Sequence, residues 1–403
     1  MNNSPRQPIA GHDASNELSF AYVSAHDWWS VILAGAIADS EGDKIIEGLR
    51  ALRSEIQSDA KLTPLPDNGF HDIVGYNEEL AQRDATWMNI STFKCSKPAV
   101  LELAARYKAI QNDPAIESIA SERHIFQEMC EICLWGNATD LSLTSLTYGD
   151  IQKLQGSEAG KMQEKNVLVK DIPDAYDVLK NTRQERNDEE IRVDIVLDNA
   201  GFELYVDLLL AGYLLSTGLA TKVVLRPILM PWLVSDVLPV DFTNLLLALS
   251  DPENFFGTAD SDGNLPPQGT LSDEERGNLT FLFDQLNGFS KLGRLAMHLD
   301  PFWTTGGSYW SLPHVTPSLF EELERSELVL FKGDLNYRKL TGDCQWETTT
   351  LFSTAIGRLD KVSGIRSLAL RTCKADVVVG LPEGEDQRFR QTHQDGQDIG
   401  SRK

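Results

Sequence analysis

Cysteine is scarce in this chain: five in 403 residues, at Cys95, Cys130, Cys133, Cys344 and Cys373. So sparse and odd a set excludes a disulfide-built secreted domain and reads as reduced and intracellular. No secretory leader is expected, since "MNNSPRQPIAGHDASN" lacks the apolar core that one needs. Long apolar runs are missing; the 202–215 stretch is broken by Asp207, so no membrane span is expected. The expected location is the cytoplasm, with the nucleus as the alternative. Asn-X-Ser/Thr triplets such as those at Asn89, Asn137 and Asn278 then carry no glycan. Positive charge is also short: 37 Lys and Arg against 60 Asp and Glu leave a net charge of −23. That balance excludes nucleic acid and an anionic membrane surface as main partners, because both demand a cationic footprint. A small anion needs only a local cationic pocket and stays open. The histidines (His12, His26, His71, His124, His298, His314 and His393) never pair at zinc-ligand spacing. No G-x-G follows any β-branched run, so the usual loop for a nucleotide-bearing cofactor is absent.

What is present is an ordinary globular balance, 41% hydrophobic and 24% charged. Residues 1–17 read as a disordered arm and 384–403 as a polar tail. From 18 to 180 the pattern is helical: "AHDWWSVILAGAIADS" and "KPAVLELAARYKAI" repeat apolar residues every three or four positions. After the charged stretch "NTRQERNDEE" the grammar changes. Short apolar runs, "IRVDIVLD", "TKVVLRPI", "ELVLFKGD", "RSLALRTC" and "DVVVGL", now alternate with helical segments over 190–383. Near-continuous apolar strands are what a mostly parallel sheet covered on both faces requires. The expected architecture is α/β: a helical N-terminal domain packed on a three-layer α/β/α domain with a mostly parallel sheet.

In an open α/β sheet, ligands bind beyond the carboxyl ends of the strands. The first run ends in Asp198-Asn199, and the loop after the second reaches Asp236. The last two end in "KGDLNYRKL" (332–340) and "RTCK" (371–374). The ends thus sort by charge, acidic then mostly basic, which suggests a hard cation beside an anion site. Two carboxylates and an amide, Asp198, Asn199 and Asp236, are oxygen ligands suited to Mg²⁺ or Mn²⁺. Lys374 can meet a phosphate as a point charge, while Asn336 and Arg338 can donate hydrogen bonds. A helix beginning near Ala200 would aim its N–H groups at the same crevice. A plainer reading of Asp198-Asn199 also stands, because both residue types cap helices.

The stretches "LDNAGFEL", "PWLVSDV", "FKGDLNYRKL" and "LRTCKADVVVGL", in this order, closely resemble the metal-dependent damage-control phosphatases, in the branch also called acidic-residue methyltransferases. "SFAYVSAHDWW", "LWGNATDLSL" and "LTYGDIQKLQG" agree, so the resemblance spans nearly the whole chain. It implies a helical domain on an α/β/α core, a divalent metal (Mn²⁺ or Mg²⁺), and hydrolysis of small sugar phosphates such as fructose 1-phosphate or fructose 6-phosphate. By motif, Asp198, Asn199 and Asp236 would hold the metal. Asp334, Leu335, Asn336, Tyr337 and Arg338 would line the substrate site, with Lys374 on the phosphate. Glu203 matches a position given to the methyl-donor product in the methyltransferase account. One departure is that "TWMNISTFKCSKPAV" (86–100) is compressed relative to the family pattern, which puts the covering of the site in question.

Phosphomonoester hydrolysis is therefore the leading expectation. With no Asp-X-Asp after the first strand, attack by water is favoured over a phosphoaspartate. Transfer of a methyl group from S-adenosylmethionine to protein carboxylates is the alternative, and a non-catalytic binding protein a third reading. Cys130-Glu-Ile-Cys133 lies in a helical apolar context and is assigned to packing. Cys373 is not expected to be a nucleophile. "PFWTTGGSYW" (301–310) is assigned to core or loop packing, and Glu203 and Asp207, four apart, share one helix face.

Overall fold

A computed structural model describes residues 10–11, 37, 46–48, 50–51, 97–112, 119–136, 167–186, 189–230, 235–257, 271–375 and 377–388. The compressed segment up to residue 96, "SFAYVSAHDWW" and "LTYGDIQKLQG" lie outside them, as does most of "LWGNATDLSL".

Five parallel strands form the sheet: β1 (Arg192–Val196), β2 (Lys222–Arg226), β3 (Leu295–Met297), β4 (Leu328–Lys332) and β5 (Ser367–Leu370). Their spatial order is β3-β2-β1-β4-β5, so the chain winds outward from the centre in both directions. Val196 pairs with Arg226 on one side and Phe331 on the other, which aligns the carboxyl ends of β1 and β4. That is the topological switch point, where the two outward crossovers part and leave a crevice.

Helices cover one face: α1 (Lys97–Asn112), α2 (Ile119–Gly136), α3 (Ile172–Glu185), α4 (Phe202–Thr217), α5 (Pro239–Ser250), α6 (Pro252–Gly257) and α7 (Asp273–Lys291). Alternation along the strands divides the core. Val193, Ile195, Leu328 and Leu330 pack with α1, α2, α4 and α7, whereas Val196, Val329 and Phe331 pack with Phe302, Trp303 and Tyr309. The second face is closed further by α8 (Pro317–Leu323) and α9 (Gly333–Leu340). α4 is buried from Phe202 to Leu215, as expected of a helix apolar on every side.

The fold is the α/β class expected, with two corrections to the strands. "DVVVGL" is not a strand: Val377 and Val379 pack in a small cluster with Tyr337 and Trp346, and Val379 N–H donates to Tyr337 Oη at 3.2 Å. The third sheet strand is instead Leu295–Met297, an edge strand too short to show in the hydrophobic pattern. Ala10–Gly11, within the expected arm, pairs antiparallel with Cys344–Gln345. Among the described residues no helix is long and apolar enough to cross a membrane.

Candidate active site

Asp198 and Asn199 leave β1 at the switch point, and neither caps the helix that follows. Gly201, at φ 66°, is the residue before α4 and has no side chain with which to cap it. Neither Asp198 nor Asn199 stands at the cap position itself. Their backbone instead pairs with the loop after β2. Ala200 N–H donates to Ser235 O at 2.7 Å, Val237 N–H donates to Asp198 O at 2.9 Å, and Asn199 faces Asp236 as an antiparallel bridge. Two segments far apart in sequence are thus pinned side by side, which brings residues 198–199 next to residue 236.

The Asn199 side chain is held from three directions. Its Nδ2 donates to Asp198 Oδ2 and to Glu203 Oε2, both at 2.8 Å, while Ser235 Oγ donates to its Oδ1 at 2.7 Å. With both amide hydrogens engaged, Oδ1 is the atom left to act as a ligand, and one lone pair remains for it. Asn199 and Asp236 are 5% and 3% exposed. This oxygen set fits a hard divalent cation that retains water or substrate in its other positions. Among the described residues no three His, Cys, Asp or Glu side chains are grouped to hold a metal, so the set depends on the Asn199 amide as its third member. Nearby, Tyr309 is pushed well up by burial, with the charges of Asp198 and Asp236 adding to it.

The other wall begins at the end of β4. Gly333, at φ 81°, opens α9, and a Cβ there would occupy the space of the Asp198 carboxylate. Asp334 Oδ1 accepts from Arg371 Nε (2.6 Å), Lys374 N–H (3.1 Å) and Ala375 N–H (3.3 Å). Arg371 also donates to the carbonyls of Ala375 and Val377 and lies 4.2 Å over the Tyr337 ring. Asp334, Tyr337 and Arg371 therefore fix the loop that carries Lys374. Asn336 Nδ2 donates to Leu197 O and Lys332 O, and its Oδ1 accepts from Tyr309 Oη. It ties the end of β1 to the start of α9. Leu335 is partly exposed, and Arg338 forms a two-pronged pair with Asp343 at 2.8 and 2.7 Å.

Glu203, 2% exposed, lies beneath the crevice with Lys332 Nζ 3.0 Å from its Oε1. That ammonium is fully buried, 3.0 Å from Asp207 Oδ1, and donates to Cys133 O at 2.7 Å. Burial lifts Asp207 to about 7 against the pull of Lys332. Burial also raises the Cys130 and Cys133 thiols, and Cys133 donates to Val206 O, so packing is the role of both.

Sequence reasoning passed over Lys332, Gly333, Ser235, Tyr309 and Arg371. A signal existed for Lys332: in "LVLFK" it shares parity with Leu328 and Leu330 and so faces the apolar side of the sheet. Tyr309 lies in the aromatic stretch assigned to packing, which is correct for Phe302 and Trp303 but incomplete for a hydroxyl bonded to Asn336.

The fold and site together define a doubly wound α/β protein with an oxygen-lined crevice at its switch point. The damage-control phosphatase ARMT1-like domain matches residues 25–389, and the chain belongs to that family. The damage-control phosphatase ARMT1 of Xenopus laevis is 29% identical over 96% of this chain and 96% of its own length. The mouse protein of the same name is 28% identical over 93% of each. The human one is 33% identical over 66% of this chain and 54% of its own length.

Proposed function

We propose that this chain hydrolyses phosphate monoesters of small sugars, fructose 1-phosphate and fructose 6-phosphate among them, using Mn²⁺ or Mg²⁺ held by Asp198, Asn199 and Asp236. The observation that carries the reading is the backbone bridge between Asn199 and Asp236, with the Asn199 amide bonded to Asp198, at the carboxyl end of the central strand. The names of the relatives, damage-control phosphatases, support the reaction class. When bound, the cation would supply Lewis-acid stabilisation of charge developing on the phosphoryl oxygens.

The protein's own groups have distinct tasks. Lys374 offers an ammonium to the phosphate from the loop after β5. Asp334 sets the course of that loop by accepting two of its N–H groups. The start of α9, beside Asp198, adds a helix N-terminus that favours an anion. Leu335 and Arg338, the less buried members of the α9 set, are the candidates to meet the sugar. Asp334, Asn336 and Tyr337 shape the pocket by holding its walls.

The test is phosphate release from a panel of sugar phosphates by purified protein with Mn²⁺, Mg²⁺ or EDTA, with Asp198→Ala alongside. Metal-dependent release lost in the variant is the expected outcome. No release from folded protein under any metal would overturn the proposal.

A further inference from the structure

We infer that Glu203 and Lys332 form a buried positioning pair that sets the orientation of the Asn199 amide, and through it the affinity of the site for its cation. The inference rests on the metal reading above. Glu203 lies at the second position of α4 with Oε2 accepting from Asn199 Nδ2 at 2.8 Å. Its other oxygen is 3.0 Å from Lys332 Nζ. Lys332 is the last residue of β4, so the lysine bridges from the neighbouring strand into the helix layer. Its charge is balanced there by Glu203 and Asp207, and it donates to Cys133 O in α2. Elements β4, α2 and α4 thus converge on one ammonium.

The chemistry follows from donors and acceptors. Asn199 can present Oδ1 outward only while both Nδ2 hydrogens find acceptors inward. Asp198 supplies one and Glu203 the other. Glu203 in turn keeps an oxygen directed at Asn199 because its second oxygen is drawn to Lys332. A carboxylate without that lysine would be a buried, unbalanced charge, which proteins rarely tolerate. Groups that orient ligands from behind govern metal affinity by roughly 10–100-fold. Glu203 therefore acts through Asn199 and is a positioning residue.

Glu203→Gln tests this with little change of volume. The glutamine must turn its oxygen to the Lys332 ammonium, which sets its NH₂ against the NH₂ of Asn199, donor against donor. Adding Lys332→Met removes the ammonium and lets the glutamine oxygen return to Asn199. Mn²⁺ binding to full-length protein is measured by calorimetric titration, with the fold followed by circular dichroism. Glu203→Gln is expected to bind about tenfold more weakly than wild type, and Glu203→Gln/Lys332→Met to return within about threefold. A merely structural role predicts that the second substitution adds to the first loss. The inference is overturned if Glu203→Gln binds within threefold of wild type, or if the double variant stays tenfold or more weaker. The second criterion holds even if the single variant cannot be purified folded. Failure of wild type itself to bind Mn²⁺ overturns the metal reading and this inference with it. Normal wild-type binding with unaltered variants overturns only the positioning pair.

Discussion

The Asp198 carboxylate lies against Gly333 so closely that a side chain at 333 would displace it. One is the residue that ends the central strand's turn, the other the first residue of the helix after its neighbour. Their contact joins the two walls of the crevice. Gly333→Ala would place a Cβ in the carboxylate's space at a φ of 81°, which alone costs about 1–2 kcal/mol for a residue with a side chain. We expect Gly333→Ala to fold, to lose roughly 1–3 kcal/mol of stability, and to lose most metal-dependent phosphate release. Urea titration and the phosphate assay measure the two separately. Unchanged release would show that Asp198 can leave this contact and still serve.

Arg371 and Asp334 are 4% and 8% exposed in their side chains and pair at 2.6 Å. Arg371→Ala leaves a buried carboxylate without its partner, a change that typically costs about 3–5 kcal/mol. The loop 371–377 loses its clamp as well, so the phosphate contact from Lys374 weakens. Chemical denaturation should show the stability loss, and KM for a sugar phosphate should rise more than kcat falls.

Asp207 provides a pH signature. Its folded-state pKa of about 7, raised by burial, lies above the ordinary value of 3.8. The native state then binds more protons than the unfolded state between those values, so stability falls as pH rises through that window. The loss is on the order of a few kcal/mol. Asp207→Asn should flatten the dependence. Urea midpoints at pH 5, 6, 7 and 8 check it, and parallel curves for wild type and variant would contradict it.

Glu322, on α8, works in the opposite sense. Burial alone would raise its pKa, but hydrogen bonds from Arg226 and His298 outweigh that and bring it down to about 2. A depressed carboxylate stabilises the fold above its ordinary pKa of about 4.5, and that stability is lost as pH falls toward 2. Glu322→Gln should lower stability at neutral pH and make acid unfolding between pH 4.5 and 2 shallower. Arg192 and Arg226 would be left with Asp194 as their remaining buried carboxylate partner.

Much of the fold was legible because buried parallel strands announce themselves as near-continuous apolar runs. "IRVDIVLD", "TKVVLRPI", "ELVLFKGD" and "RSLALRTC" all contain sheet strands. The run "DVVVGL" misled because its valines are buried under Tyr337 and Trp346 without a strand partner. Apolarity reports burial, and pairing needs a neighbour. Leu295–Met297 escaped for the converse reason: a short edge strand takes its order from β2 beside it.

The chemistry divides in the same way. Residue types and their places at strand ends are properties of the chain, and they were enough to propose Asp198, Asn199, Asp236 and Lys374, because a doubly wound sheet has one end at which ligands bind. Which atom of each residue faces inward could not be read there. Asp334, Asn336 and Tyr337 belong to one helix, yet their bonds run to the loop after β5, to β1 and to Tyr309. Those partners lie dozens of residues away, and only packing brings them together. The buried Lys332 shows the limit most clearly. Its parity in the strand is written in the sequence, but its meaning depends on Glu203 and Asp207 arriving from the helix above. A charge in the core takes its role from whatever the fold sets against it.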